Sequence, residues 1–389
     1  MIKVLMFSTD RTALDNGSGT QKRMVEYGTL FEELHIVVFT KKQTTDNRQQ
    51  TTIDNNIWVY PTNSRLKILY LWDAYQIAKS LVISHKLSVI TCQDPFETGF
   101  VGWLLKLRYK LPLQFQIHTD VFSPYFKNES LLNRLRVLLA KFLLPRADGI
   151  RVVSERIKQS LKAKSLKLKA EPVVLPIFVD IKKIQSAKVK TDLHNKYPEH
   201  DFIILMASRL TKEKNIGMAI EAFNRIRNQE SGIRNLLLLI VGDGPELKSY
   251  KLLVKSYKLE NNVQFESVVD SQTLFSYYKT ADLFLLTSNY EGYGRTVVEA
   301  MAAGLPVVMT DVGIAGELLI DDLDGKVVPI GDQKALAKAI LELMENSCLP
   351  AGRPPKREEF KQNSLKLLEK WPVKKEYLEK YRDSLMMLK

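Results

Sequence analysis

The stretch Asn289-Tyr-Glu-Gly-Tyr-Gly-Arg-Thr-Val-Val-Glu-Ala-Met-Ala-Ala-Gly-Leu-Pro-Val-Val308 decides the fold class of this chain. It follows the apolar run 283–286, which has the length of a buried parallel strand. The pattern becomes helical near Gly294, and Gly304 with Pro306 ends that helix. A strand, a glycine-containing loop and a helix in this order predict a βα unit of an open parallel sheet. Such sheets bind ligands at the carboxyl ends of their strands.

The same stretch carries the residues of a binding site. The first backbone N–H groups of the helix, at Gly294, Arg295 and Thr296, would point at an anion. Glu291 lies on the loop, and Glu299 leans back toward it because helical side chains tilt toward the N-terminus. A site with a phosphate end and a hydroxyl-binding end fits a nucleotide sugar. Taken alone, the pattern fits an ordinary structural turn equally well, so support must come from elsewhere.

Length and composition limit the class of protein. A chain of 389 residues predicts two domains. Apolar residues make up 45% and charged residues 26%, as in soluble globular proteins. No run approaches the roughly 18 apolar residues of a membrane span, and the N-terminus resembles a first strand rather than a signal peptide. Cys92 and Cys348 suggest neither a disulfide framework nor a metal site, so we expect a cytoplasmic protein without a cofactor.

The net charge of +13 suggests an anionic partner. Residues 154–169 carry six basic residues against Glu155, and residues 131–144 read as an amphipathic helix with leucines on one side and basic residues on the other. Either the helix lies against an anionic membrane surface, or its leucines face the core and its basic side is solvated. Nucleic acid is not expected, because no binding module is recognisable and aromatic residues are not interleaved with the basic ones.

Strand and helix patterns alternate twice along the chain. The predicted strands are 3–7, 35–39, 57–60, 88–92, 113–117, 149–153 and 172–175, then 202–207, 236–241, 263–265, 283–286, 306–309 and 327–329. Two successive βα series predict an α/β protein of two Rossmann-like parallel-sheet domains that face a cleft. We place these domains at 1–178 and 179–372, with a helix at 373–389 that crosses back to the first. The first loop, Asn16-Gly-Ser-Gly19, lacks the glycine pattern of nicotinamide-binding proteins.

Two more strand-end loops of the second domain support a ligand site. Arg209 and Lys214 follow the strand 202–207 and have the charge to neutralise a diphosphate. Gly242-Asp-Gly-Pro245 follows the next strand and forms a tight turn into a helix. Each feature alone fits a surface loop or a simple connection. Their coincidence with the Glu291 loop favours one ligand site.

These residues carry a family resemblance. The spacing Arg209-x4-Lys214, the turn at 242–245, Glu291-x7-Glu299 and the segment 300–308 together resemble the retaining glycosyltransferases of family 4, which have the GT-B fold. The resemblance runs in order over about 200–345 and is highly specific. It is weaker in the first half, where Gln116-Ile-His118-Thr-Asp120 resembles the histidine loop of the family. Ile177-Phe-Val-Asp180 departs from the usual hinge.

The resemblance implies a role for each cationic or N–H group of the second domain. Arg209 and Lys214 would bind the donor diphosphate. The backbone around Gly294, Arg295 and Thr296 would assist them. Because these groups stabilise the leaving diphosphate, no metal is expected.

Hydroxyl recognition is implied for the remaining candidates. Glu299 would hold the ribose hydroxyls, and Glu291 would hold hydroxyls of the donor sugar near the reacting carbon. His118 would contact the donor sugar from the opposite domain. Gly17 and Gly19 would approach the phosphates or the acceptor.

The expected function is therefore the retaining, metal-independent transfer of a sugar from a nucleotide-sugar donor, a UDP-sugar. The expected acceptor is a hydroxyl of a lipid-linked or membrane-surface glycan or glycolipid. Alternatives are a GT-B relative that uses a soluble acceptor or epimerises a sugar nucleotide, and a non-catalytic protein that binds nucleotide sugars or membranes. Peripheral attachment to a membrane stays a hypothesis.

Overall fold

The computed structural model describes residues 2–42, 51–228, 235–344 and 356–388. The chain forms two compact units, one comprising Met1–Pro176 with Val373–Lys389 and the other comprising Ile177–Pro372. Each unit has one sheet with helices between its strands. No described helix has the length and apolar character needed to cross a membrane.

The first unit is built on an eight-stranded sheet. Its strands are β1 (Lys3–Ser8), β2 (Glu33–Val38), β3 (Thr51–Asp54), β4 (Ile57–Pro61), β5 (Val89–Cys92), β6 (Leu113–Ile117), β7 (Gly149–Val152) and β8 (Val173–Val174). Its helices are α1 (Gly19–Gly28), α2 (Tyr70–His85), α3 (Glu97–Tyr109), α4 (Pro124–Glu129), α5 (Leu131–Leu143), α6 (Glu155–Ala163) and, from the end of the described chain, the C-terminal helix Lys374–Met386. The strand order is β3-β4-β2-β1-β5-β6-β7-β8, so the order reverses between β1 and β5.

The strands of the first sheet are parallel apart from β3. Every strand except β3 overlaps a predicted range, because a strand covered on both faces needs a continuous apolar run. β3 pairs antiparallel with β4 at the sheet edge, and its residues are exposed or half-buried. Its sequence Thr-Thr-Ile-Asp is polar and contains no apolar run, so the sequence pattern did not predict this strand.

A buried polar network attaches the C-terminal helix to the first sheet. Arg151 on β7 is 2% exposed and donates to the Tyr377 hydroxyl at 3.0 Å and to Gln116 Oε1 at 2.9 Å. Gln116 also donates to the Tyr381 hydroxyl at 3.2 Å, and the Tyr381 ring stacks on Tyr27 with centroids 4.2 Å apart. A buried guanidinium requires such partners, since burial without them is costly.

The second unit is built on a six-stranded parallel sheet. Its strands are β9 (Phe202–Ala207), β10 (Leu236–Val241), β11 (Val263–Glu266), β12 (Leu283–Leu286), β13 (Val307–Thr310) and β14 (Lys326–Val328). Its helices are α7 (Ile181–Ser186), α8 (Leu193–Lys196), α9 (Ile216–Arg227), α10 (Leu247–Ser256), α11 (Ser271–Thr280), α12 (Arg295–Ala302), α13 (Gln333–Met344) and α14 (Lys356–Leu368). The C-terminal helix Lys374–Met386, which belongs to the first unit, is α15. The strand order β11-β10-β9-β12-β13-β14 reverses between β9 and β12.

The leucine side of α5 faces outward. Leu131, Leu135 and Leu138 are 62% to 75% exposed, whereas Val137 and Ala140 are buried. The alternative of a core-facing leucine side is therefore wrong. The buried side is formed instead by Asn133, Val137, Ala140 and Leu143.

Part of the basic segment 154–169 is neutralised within the first unit. Lys158 and Lys162 lie 3.3 and 2.9 Å from Glu171. Lys169 lies 2.5 Å from Asp148. The segment therefore presents less unpaired positive charge than its composition suggested.

Candidate active site

The loops after β9 and β12 are joined by hydrogen bonds at the point where the strand order of the second sheet reverses. The Thr287 hydroxyl donates to the carbonyl oxygens of Lys214 and Asn215, each at 3.0 Å. The Asn289 N–H donates to the Glu213 carbonyl at 2.8 Å. In open parallel sheets this reversal point is where ligands bind. The sheet thus fixes the backbone around two of the predicted site residues.

Lys214 and Glu291 meet at this point. The Lys214 ammonium donates to Glu291 Oε1, and the Ser288 hydroxyl donates to the same oxygen at 2.8 Å. Only 15% of the Lys214 side chain and 13% of the Glu291 side chain are exposed. The family resemblance assigns Lys214 to the diphosphate and Glu291 to the donor sugar. In the structure the two side chains form an ion pair with each other. A diphosphate that binds Lys214 must share its ammonium with Glu291.

Glu299 is held by two side chains on its own unit. It is 4% exposed, and it accepts a hydrogen bond from the Tyr278 hydroxyl at 3.1 Å and one from Arg295 Nε at 2.7 Å. Burial, with the Glu299 carboxylate beside it, raises the pKa of Tyr278 well above its ordinary value, so the hydroxyl remains a donor. Each carboxylate oxygen keeps a second lone pair for a ligand hydroxyl. The sequence contained no signal that distinguished Tyr278 from other helix residues.

The first turn of α12 leaves backbone N–H groups without acceptors inside the helix. Gly294 precedes the helix with φ 94°, a left-handed conformation that glycine adopts without strain. The first helical N–H with a partner inside the helix is that of Val297, which donates to the Gly294 carbonyl at 2.9 Å. The N–H groups of Gly294, Arg295 and Thr296 precede that bond and form the positive end of the helix dipole.

The loop after β13 supports this turn. The Ile314 N–H donates to the Tyr293 carbonyl at 3.0 Å. A Cβ added to Gly313 would lie 2.4 Å from that carbonyl oxygen and 3.1 Å from the Glu291 Cβ. Gly313 therefore permits the close approach that holds Glu291 in place.

Arg209 has a different environment from Lys214. Its side chain is 75% exposed and lies 3.2 Å from Glu213, so it extends into solvent. The loop that carries it packs on the turn after β10, where the Leu210 N–H donates to the Asp243 carbonyl at 2.9 Å. A Cβ added to Gly244 would lie 2.3 Å from the Leu210 carbonyl oxygen. In this structure the glycines of that turn serve loop packing.

The first-unit candidates lie at carboxyl ends of the first sheet. Gly17 has φ 73°, and its N–H donates to Gln21 Oε1 at 2.8 Å. Gly19 begins α1, and a Cβ there would meet no atom within 4 Å. Packing does not require a glycine at position 19, and the space beside it is open.

His118 follows β6 directly and is half-buried. Burial, then the positive charges of Arg151 and Arg23, lower its pKa to about 3. Its imidazole is therefore neutral at physiological pH and can contact a sugar hydroxyl as a donor or an acceptor.

Asp94 is a further candidate site residue, which the sequence motifs did not identify. It lies just after β5, beside the reversal point of the first sheet, and its Oδ1 accepts the N–H groups of Phe96 at 2.8 Å and Thr98 at 3.3 Å. Burial, then the charge of Glu97, raises the pKa of Asp94 to about 6. Its position directly after an apolar strand was the signal that could have identified it.

Two Rossmann-like units, with a glycine-preceded helix start at the reversal point of the second sheet, are the architecture of GT-B glycosyltransferases. Residues 189–367 match the family described as Glycosyl transferases group 1, and residues 19–176 match the glycosyl transferase 4-like domain. The chain therefore belongs to this glycosyltransferase family and is a transferase.

Individual relatives agree with that assignment. The alpha-monoglucosyldiacylglycerol synthase of Streptococcus pneumoniae is 28% identical over 281 residues, a match that covers 70% of this chain and 61% of that protein. The sucrose-phosphate synthase of Thermosynechococcus elongatus has 19% identity and a TM-score of 0.80, over 98% of each chain. HepE of Anabaena, solved in complex with UDP, has 19% identity and a TM-score of 0.74, over 99% of this chain and 100% of that one. The two structures show a shared fold.

Proposed function

We propose that this protein transfers a sugar from a UDP-sugar to a hydroxyl of a glycolipid acceptor at a membrane surface, with retention of the anomeric configuration. The observation that carries the proposal is the pairing of Lys214 with Glu291 at the reversal point of the second sheet. One ammonium, one carboxylate and a free helix start there suit a ligand with a diphosphate joined to a sugar.

The leaving group is stabilised by positive groups of the second unit. Breakage of the anomeric C–O bond leaves negative charge on the departing diphosphate and positive charge on the sugar. Lys214 and the N–H groups at the start of α12 would neutralise the diphosphate, and the exposed Arg209 would move onto it. Such preorganised groups contribute several kcal/mol when they face developing charge. With these cations in that role, the proposed reaction needs no divalent metal.

The two carboxylates would orient the donor. Glu291, which approaches Lys214, would accept hydroxyls of the sugar, and Glu299 would accept those of the ribose. Arg295 and Tyr278 hold the Glu299 carboxylate in place by donating hydrogen bonds to it. The neutral His118 of the first unit would contact the donor sugar. Gly17 and Gly19 would allow the phosphates or the acceptor to approach the backbone.

Relatives support the choice of donor and acceptor. HepE, which shares the fold, was solved in complex with UDP. The pneumococcal relative is an alpha-monoglucosyldiacylglycerol synthase, whose name states an alpha-linked glucose and a diacylglycerol. We extend both features to this chain as part of the proposal.

The exposed side of α5 suits a bilayer surface. Leu131, Leu135 and Leu138 repeat at helical spacing along one exposed stripe. The exposed residues Arg134 and Lys141 flank the stripe. Apolar side chains beside cations are what an interfacial helix presents to anionic lipid. Its position on the first unit agrees with an acceptor that is itself a lipid.

Donor use is tested by coupled measurements of binding and transfer. Titration calorimetry with UDP is run on the wild type and on Lys214→Ala and Glu291→Ala. The same proteins are assayed for transfer from radiolabelled UDP-glucose to vesicles that contain diacylglycerol or a glycosylated diacylglycerol. We expect both variants to lose transfer. The controls Lys255→Ala and Glu260→Ala remove exposed charges elsewhere on the second unit and should keep it. UDP binding without transfer to any lipid or soluble acceptor would favour a non-catalytic binding protein.

Membrane attachment is tested by vesicle co-sedimentation. A Leu135→Ser, Leu138→Ser double variant should lose binding to vesicles that contain phosphatidylglycerol. Leu252→Ser removes a leucine that is 69% exposed on α10, outside the stripe, and should bind like the wild type. Binding that is unaffected by salt and by anionic lipid content would contradict the electrostatic part of the proposal.

A further inference from the structure

A second cluster of chemically active side chains lies at the other end of the first sheet. Among the residues that the structure describes, Glu33, His35 and His85 form the one group of three whose potential metal-ligating atoms all lie within 4.8 Å of one another. Glu33 Oε2 is 2.9 Å from His35 Nε2 and 2.9 Å from His85 Nδ1. One carboxylate oxygen thus lies between two imidazole nitrogens, and all three atoms lie within 4.8 Å of one another.

We propose that Glu33, His35 and His85 bind a zinc-class divalent transition metal ion. Two imidazoles and one carboxylate are a common protein ligand set for Zn²⁺, with a fourth position left for water. At metal–ligand distances of ~2.0–2.2 Å, tetrahedral ligands lie about 3.3 Å apart. The two carboxylate–imidazole separations of 2.9 Å require only a few tenths of an ångström of opening. The two imidazole nitrogens, which lie within 4.8 Å of each other, would adjust to the same spacing.

Neighbouring side chains position the three ligands. Lys3 Nζ donates to Glu33 Oε1 at 2.5 Å, which turns the other oxygen toward the histidines. His35 Nδ1 is 3.0 Å from the Tyr60 hydroxyl. When a metal binds, this hydroxyl can accept a hydrogen bond from Nδ1–H, and the Nε2 lone pair is then free for the metal. Metal sites in proteins are usually supported by such outer contacts.

Access to the cluster is possible from one side. Metal binds to an ionised carboxylate and to neutral imidazoles, so binding should weaken as the pH is lowered. His35 is fully buried, whereas the His85 side chain is 33% exposed and offers a route of entry.

The location separates this site from the transfer chemistry. Lys3 and Glu33 are the first residues of β1 and β2, whereas Gly17 and His118 follow the carboxyl ends of strands. β1 has six residues and is therefore about 17 Å long. A bound ion would link the end of α2, which carries His85, to β2. We therefore assign it a stabilising role in the first unit.

Metal binding is measured on the chelator-treated full chain at pH 7.5. Zinc titration by calorimetry should show one saturable site per chain, and zinc should raise the melting temperature. The Trp58 ring stacks on His35 with centroids 4.7 Å apart, so Cu²⁺ or Ni²⁺ should quench its emission. Cobalt should produce a visible absorption band that zinc removes.

Variants decide whether these residues are the ligands. His85→Gln removes a half-exposed ligand without emptying the core, and it should weaken zinc binding at least ~100-fold, beyond the usual cost of an outer-contact change. His194→Gln is the matched control, because His194 also lies beside a carboxylate, Asp282, at 3.1 Å and is 41% exposed. The proposal is overturned if zinc does not saturate one site, or if His85→Gln binds zinc as the wild type does. UDP binding and sugar transfer are read separately, since neither depends on this site.

Discussion

Replacement of Glu291 by glutamine should strengthen nucleotide binding while it impairs transfer. The amide has nearly the shape of the carboxylate and can still accept the Ser288 hydroxyl. It removes the charge that competes with a diphosphate for the Lys214 ammonium. Two effects of opposite sign on binding and rate from one substitution would be difficult to obtain from general misfolding.

The magnitude follows from the burial of the pair. With side chains 15% and 13% exposed, two unit charges near 4 Å interact by about 4 kcal/mol at an effective dielectric constant of 20. Solvation of the freed ammonium offsets part of this. A hydrogen bond to a charged group contributes a net ~1.5–3 kcal/mol. If the nucleotide recovers about 1.4 kcal/mol, UDP binds roughly tenfold more tightly. Loss of a charged acceptor for the sugar hydroxyls should slow transfer by ~10–150-fold.

The assay is a double-mutant cycle in UDP affinity. Glu291→Gln, Lys214→Met and the double variant are titrated with UDP by calorimetry, and the first is assayed for transfer. In the Lys214→Met background the gain from Glu291→Gln should disappear, because the ammonium it releases is absent. Glu260→Gln is the control, because it removes an exposed carboxylate elsewhere on the second unit. If Glu291→Gln weakens UDP binding as much as Lys214→Met does, the proposed competition is refuted.

Three further predictions concern packing and pH. Gly244→Ala places a Cβ 2.3 Å from a carbonyl oxygen and should lower stability by more than about 2 kcal/mol in urea unfolding, whereas Gly19→Ala, which meets open space, should not. Tyr377→Phe removes a hydrogen bond to the buried Arg151 and should cost ~1–3 kcal/mol by the same measurement, with transfer retained at low temperature. His118 has a folded-state pKa of about 3, below its ordinary 6.5, so between these values the unfolded chain binds more protons and stability falls as pH is lowered. His118→Gln should flatten that slope between pH 7 and pH 5, and an unchanged slope would contradict the assignment.

Buried parallel strands were the most predictable part of the fold. A strand such as β9 must be apolar along its whole length because both faces are covered, and its burial is complete. β3 is an exposed edge strand, so its residues carry no such constraint. The sequence pattern also could not predict which side of α5 is buried. Periodicity shows that a helix has two sides, but only the packed neighbours determine which side is buried.

The candidate site was predictable residue by residue but not in its pairings. Strand-end position and residue type identified Lys214 and Glu291 as candidates. Their direct contact depends on the reversal of strand order between β9 and β12, which brings together loops 77 positions apart. Tyr278 is an example of a site residue that the sequence could not identify. It lies on α11 and contacts Glu299 only because that helix packs beside α12, a long-range relation that no local pattern contains.

The return of α15 to the first unit has a consequence for biosynthesis. The hydroxyl that Arg151 needs belongs to Tyr377, 226 residues later in the chain. During synthesis on the ribosome, β7 is made before the entire second unit. The Arg151 guanidinium therefore cannot form its hydrogen bond to Tyr377 until the second unit has emerged. The domain that is synthesised first is therefore completed last, and nascent chains that stop short of α15 should be sensitive to protease throughout the first unit.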